Sequence, residues 1–96
     1  MEIELAAARV LLRQAAWMLD RGAPDAVKHC AMAKAFVTEA GCKIVDDCLQ
    51  LHGGYGYLAD YGIEKLARDL RVHRILEGTN EIMRLIISRH MLAARG

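Results

Sequence analysis

Proline breaks helices, and this chain has a single one, Pro24. On both sides of it apolar residues recur at helical spacing. Before it, Ile3, Leu5, Ala8, Leu12, Ala16 and Leu19 lie close to a 3.6-residue period across residues 2–21. After it, Val27, Cys30, Ala31, Lys34, Val37 and Ala40 follow one another around a second cylinder, residues 25–52. Gly22 is placed to end the first helix in a left-handed cap. Pro24 suits the first turn of the next. Alanine-rich faces let the two backbones approach closely, which predicts an antiparallel hairpin. The expected fold class is all-α, an up-down helical bundle.

Ninety-six residues make one domain at most. Apolar side chains are 54% of them. That much apolar surface on so few long helices is hard to bury in one small monomer. The expectation is tight self-association or a piece of something larger. The net charge of +1 argues against a strongly electrostatic partner. Residues 1–63 carry six bases and eight acids, and residues 64–96 carry seven bases and four acids. A solvated helix face accounts for that tilt better than a phosphate-binding surface. Cys30, Cys42 and Cys48 form no C-x-x-C pair, so neither a disulfide framework nor a zinc site is indicated; they are expected to pack as small buried groups. No metal-ligand spacing joins the four histidines. No signal-peptide pattern and no membrane-spanning run is visible, so the chain reads as soluble and from a reducing compartment.

The pattern changes at His52-Gly53-Gly54-Tyr55-Gly56-Tyr57, where three glycines in four positions forbid a helix. Such a loop can be an ordinary turn, or backbone laid close against a planar or phosphate-bearing ligand. Gln50 and His52 stand beside it as hydrogen-bonding groups. Helix resumes over residues 61–73, with Leu66, Leu70 and Val72 as its apolar side and Lys65, Arg68 and Arg71 as a basic row. That row lacks the aromatic residues a nucleic-acid surface needs. Thr79 or Asn80 caps a last helix through about Ala93, with Ile82, Met83, Leu85 and Ile86 as its stripe. Arg84, Arg89 and Arg95 favour that helix's negative end.

Glu77 precedes this last helix, between Ile75-Leu76 and Gly78. A carboxylate there is either a solvated group favoured by the helix dipole or a base at the edge of an apolar cavity. Desolvation would make it the stronger base. Gly78 would let a ligand approach, and N–H groups near the helix start could hold a developing oxyanion. Glu81 reads as a first-turn acid.

Taken together, "CLQLHGGYGYLADYGIEKLARDLRVHRILEGTNEIMRLIISRHML", residues 48–92, resembles the carboxy-terminal part of the acyl-CoA dehydrogenases. The two earlier helices fit that family's C-terminal helical domain more loosely. The resemblance implies oxidation of an acyl-CoA thioester to its 2,3-enoyl product, with FAD as cofactor. It makes Glu77 the base that takes the α-proton, its backbone N–H helping to polarise the thioester carbonyl. It puts Gly78 and Leu76 at the substrate, and Thr79 and Glu81 near the flavin. Gln50, Leu51, His52, Gly53 and Gly54 would contact the FAD of a neighbouring subunit. It further implies a homo-oligomer (dimer or tetramer), electron-transfer flavoprotein as partner, and a cytoplasmic location if bacterial or mitochondrial matrix if eukaryotic.

Leu76 stands where many members have tyrosine, and "HGGYGYL" with "ILEG" resembles the short branched-chain, isobutyryl-CoA type. Members with an N-terminal helical domain, a middle β-domain and a first C-terminal helix have parts not found here. The chain is therefore expected to be an incomplete C-terminal bundle, inactive alone and holding FAD weakly or not at all. The competing expectation is a stand-alone helical oligomerisation module without catalysis.

Overall fold

The structure, a computed structural model, describes residues 1–95. It contains four α-helices and no strand among those residues: α1, Glu2–Asp20; α2, Ala26–His52; α3, Ile63–Val72; and α4, Asn80–Arg95. Two 3-10 turns, Gly53–Tyr57 and Ala59–Tyr61, join α2 to α3. The all-α expectation holds.

Gly22 ends α1 as predicted, at φ 64°. Its N–H donates to the Leu19 carbonyl and that of Ala23 to the Met18 carbonyl, the paired bonds of a Schellman cap. Arg21 lies over the Trp17 ring, 4.3 Å from its centre. Pro24 departs from expectation. It sits in the turn, one residue before the N-cap Asp25, because the helix begins only at Ala26.

Helix α2 is the hub. Its 27 residues run about 40 Å, and α1, α3 and α4 each pack on it but not on one another. Helix α1 returns antiparallel beside it, since Met1 meets Cys48 and Ala15 meets Cys30. From Gly56 the chain walks back along α2. Gly56 lies against Leu49, Leu70 against Gly41, and Gly78 against Lys34.

The fully buried apolar side chains are all alanines: Ala8 and Ala15 of α1, and Ala26, Ala31, Ala33, Ala35 and Ala40 of α2. Small side chains let backbones approach, but they bury little area. Twenty larger apolar or aromatic side chains are exposed. The accessible surface is 6942 Å², against about 5,500 Å² for a compact monomer of this mass. The radius of gyration is 15.8 Å, against about 12–13 Å for a compact domain of this length.

The apolar stripes are shifted from their predicted positions. On α1 the face turned to α2 is Leu5, Ala8, Leu11, Ala15 and Met18, while Ile3, Leu12 and Leu19 point to solvent. On α3 only Leu70 of the predicted three packs inward, joined by Ile63 and Ala67; Leu66 and Val72 are exposed. On α4 the inner face is Met83, Ile86, Ile87 and His90, not Ile82 and Leu85. Each of these helices carries apolar residues on two faces, so spacing alone selects neither. The cysteines are half-buried and unpaired, not fully buried; the Cys42 thiol donates to the Leu70 carbonyl at 3.1 Å. The glycine-rich stretch also departs from expectation, since it keeps a tight 3-10 turn where no helix was predicted.

Candidate functional site

Between α3 and α4 the chain makes one tight loop. The N–H groups of Ile75 and Leu76 both donate to the Val72 carbonyl at 2.9 Å, and the Asn80 N–H closes the loop on the Arg74 carbonyl at 3.1 Å. Inside it, Glu77 has φ 56°, making it the non-glycine residue with positive φ among those described. Holding a residue with a Cβ there costs about 1–3 kcal/mol. Gly78 follows at φ 90°, and a Cβ on it would lie 2.9 Å from the Met83 methyl. The positive φ is the ground on which the turn favours glycine at 78, since the Met83 methyl is the far end of a flexible side chain and can move aside.

A lysine from the third turn of α2 fastens this turn. The Lys34 ammonium donates to the Gly78 carbonyl and to Asn80 Oδ1, each at 2.7 Å. Asn80 is 1% exposed. Its Nδ2 donates to Thr38 Oγ1 at 2.9 Å and to the Ala35 carbonyl and Glu39 Oε1 at 3.4 Å. The ammonium can only donate, and the Thr38 hydroxyl gives its own proton to the Lys34 carbonyl at 2.7 Å. The amide orientation of Asn80 is thereby fixed. Sequence reasoning missed this cluster. It put Lys34 in the apolar stripe of α2 and weighed Asn80 only as a cap. The signal available was a lysine at an otherwise inward-facing position of a long helix.

The cap is Thr79, whose Oγ1 accepts the Ile82 N–H at 3.4 Å. Glu81 is a surface acid 3.6 Å from Arg84. Arg84, predicted to serve the far end of α4, instead pairs with Glu39 of α2. Burial works to raise the Glu39 carboxyl, but hydrogen bonds from Arg84 and Asn80 and the charges of Arg84 and Arg74 outweigh it, so it lies below its ordinary value. Arg71, Arg74 and Arg84 line an open cleft of about 530 Å³ with Glu39, Cys42 and Asp46. Glu77 itself is exposed, Gly78 is exposed, and Leu76 and Thr79 are half-buried. The expected apolar cavity is not formed around Glu77 by these helices, because Ile75 beside it also faces solvent.

The glycine segment divides by cause. Gly53, at φ 63° and ψ −144°, ends α2 in a conformation open to glycine. Gly56 is buried, and a Cβ there would lie 2.5 Å from the Leu49 carbonyl oxygen. Gly54 has neither a positive φ nor any neighbour within 4 Å, so the chain's own packing does not explain it. Gln50, Leu51 and His52 are exposed beside it. His52 Nδ1 donates to the Cys48 carbonyl at 2.7 Å, which leaves Nε2 free. Tyr55 pairs with Tyr61, ring centres 5.2 Å apart.

Two groups of candidate residues result, and the fold keeps them apart. Leu76, Glu77, Gly78, Thr79 and Glu81 gather beside Lys34. Gln50, Leu51, His52, Gly53 and Gly54 lie at the far end of α2, about 28 Å along its axis. Among the described residues no cluster of three or more His, Cys, Asp or Glu could hold a metal, and no helix is long and apolar enough to cross a membrane.

The family model described as "Acyl-CoA dehydrogenase, C-terminal domain" matches residues 1–92. This chain belongs to the acyl-CoA dehydrogenases. Among its acyl-CoA dehydrogenase relatives, the mitochondrial isobutyryl-CoA dehydrogenase of Dictyostelium discoideum is 55% identical, over 95% of this chain and 22% of that protein. The 3-(aryl)acrylate reductase of Clostridium sporogenes is 48% identical, over 96% of this chain and 24% of that protein. The butyryl-CoA dehydrogenase structure from Megasphaera elsdenii superposes with a TM-score of 0.91 at 32% identity, over 96% of this chain and 24% of that one. The chain thus spans roughly a quarter or less of the proteins it matches.

Proposed function

We propose that these helices form the C-terminal part of an FAD-dependent acyl-CoA dehydrogenase acting on a short or branched acyl-CoA thioester, with Glu77 as its base. In this reading an N-terminal helical domain and a middle β-domain supply the rest of the site, and the 96 residues alone are inactive. The observation that carries it is the Glu77-Gly78 turn. A carboxylate sits on a strained backbone, φ 56°, held by a rigid helix. Strain of that kind persists where the surroundings over-determine it, and it clusters at sites of chemistry. The Glu77 carboxylate takes the α-proton, and N–H groups at the start of α4 favour negative charge on the thioester oxygen. Once the missing domains exclude water, the exposed carboxylate becomes the desolvated base the reaction needs. Gly78 and Leu76 face the acyl chain. FAD, when bound, supplies the oxidised ring that takes the β-hydrogen with its electron pair.

Gly54 fits such a cofactor, because its open, unstrained backbone leaves room for a flat ligand to approach. The separation of this segment from Glu77 supports assigning them to two sites: Thr79 and Glu81 near the copy's own flavin, and Gln50 to Gly54 on that of a neighbouring subunit. A homo-oligomer follows from this reading, with electron-transfer flavoprotein as its redox partner. The compartment is the mitochondrial matrix if the source is eukaryotic, in line with the mitochondrial Dictyostelium relative, and the cytoplasm if bacterial. The test is turnover of short linear and branched acyl-CoAs by the product of the complete reading frame, with Glu77→Gln as control. Loss of turnover with FAD retained is expected; retained turnover would overturn the assignment of the base.

A further inference from the structure

We infer that Lys34, with Asn80 behind it, is the positioning residue for Glu77. The inference rests on Glu77 being the base, and deepens that reading. The residue that must be aimed stands on a turn whose two central members both have positive φ, 56° and 90°. The loop's own bonds, from Leu76 N–H to the Val72 carbonyl and from Asn80 N–H to the Arg74 carbonyl, close it on either side of Glu77, but a residue with a Cβ still tends to relax to negative φ. A further restraint comes from 44 residues away, where the Lys34 ammonium donates to the Gly78 carbonyl at 2.7 Å.

Three features mark this contact as a device for aiming. First, Lys34 pairs with no carboxylate among the described residues; its charge is directed at two neutral oxygens, those of Gly78 and Asn80. A lysine present for surface charge has no reason to do this. Second, its root is the third turn of α2, the helix on which every other α-helix packs, so the carbonyl is referenced to the central element of the fold. Third, Asn80 is buried and cannot reverse its amide. Its oxygen faces the ammonium, while its nitrogen faces the oxygens of Thr38, Ala35 and Glu39. The ammonium is thus held on one side by Asn80 and on the other holds the Gly78–Thr79 peptide, one residue beyond Glu77. Removing it frees that peptide to rotate, and the carboxylate moves with it.

The experiment uses the complete enzyme, comparing wild type, Lys34→Met and Glu77→Gln. Methionine keeps the apolar stem and removes the ammonium. The expected result for Lys34→Met is a fall in kcat of about 100-fold, with KM little changed and flavin content retained. A larger kinetic isotope effect with α-deuterated acyl-CoA is expected too, because proton removal becomes the slow step. A purely structural role would lower the amount of folded enzyme without raising that isotope effect. Glu77→Gln inactive with Lys34→Met unchanged in kcat and isotope effect overturns the positioning role and leaves the base in place. Glu77→Gln active overturns the base itself, and with it this inference. If Lys34→Met does not fold, Thr38→Val, which removes only the hydroxyl that accepts from Asn80, is read the same way. A raised isotope effect supports the inference, and an unchanged one overturns it.

Discussion

Arg84, in the second turn of α4, holds Glu39 of α2 across 45 residues of chain, and that bond keeps the Glu39 carboxyl below its ordinary value against the opposing effect of burial. The sign of the pH dependence follows. A carboxyl depressed in the folded state binds fewer protons folded than unfolded, so stability rises with pH through its titration. The contribution is complete above the ordinary value of 4.5 and is lost as the pH falls through the lower, folded-state value. Denaturant unfolding below pH 4.5 should show steepening loss of stability in the wild type and a flatter dependence in Glu39→Gln.

Asn80 supports a second prediction. Its buried amide joins the ammonium of Lys34 to three acceptors on α2. Asn80→Ala removes those bonds, leaves a small cavity and strips Lys34 of one of its two partners. The expected loss is about 2–3 kcal/mol, measured as a fall in unfolding midpoint. Thr79→Ala, which removes only a cap at 3.4 Å, should cost less, about 1 kcal/mol.

These two residues also show what was legible in the sequence. The helices were readable because their ends carry local signals: Gly22 for α1, Gly53 for α2, and Thr79 for α4. The turn at Glu77 was readable as a break between helices because an acid next to a glycine at a helix start is a local arrangement. Which side of each helix faces inward was not readable. Ile3 and Leu5, or Leu66 and Leu70, are equally apolar, and only packing on α2 separates them. Lys34 was read as part of a stripe because its partners, Gly78 and Asn80, lie 44 and 46 residues away. The exposure of Glu77 was also hidden, since a cavity expected from the neighbouring Ile75 and Leu76 needs walls that these helices do not contain.

Gly54 and Gly56 should respond oppositely to the same substitution. A methyl group at 56 meets the Leu49 carbonyl oxygen at 2.5 Å, and that oxygen belongs to α2 and cannot move aside. Gly56→Ala should cost about 1–3 kcal/mol, seen as a lower unfolding midpoint. At Gly54 the methyl meets nothing within 4 Å and the backbone is unstrained. Gly54→Ala should leave stability unchanged, yet in the complete enzyme it should weaken FAD retention, measured by flavin content after gel filtration. Unchanged flavin content would remove Gly54 from the proposed cofactor contact.

The isolated 96-residue chain should associate with itself. Its buried apolar side chains are alanines only, while Trp17, Leu19, Phe36, Leu51 and Tyr57 are among twenty larger ones left exposed. So many large apolar side chains left exposed, with so small an apolar core, favour association. The helices that carry it pack on α2 and not on each other, so each retains an open side. Sedimentation of the isolated chain across a wide range of concentration should give a mass that rises with concentration, and dye binding to apolar surface should fall as it does. The same preparation should show no dehydrogenase turnover and no stoichiometric flavin. A yellow, monomeric, active preparation would contradict both the open faces and the division of the site between this chain and the domains proposed to complete it.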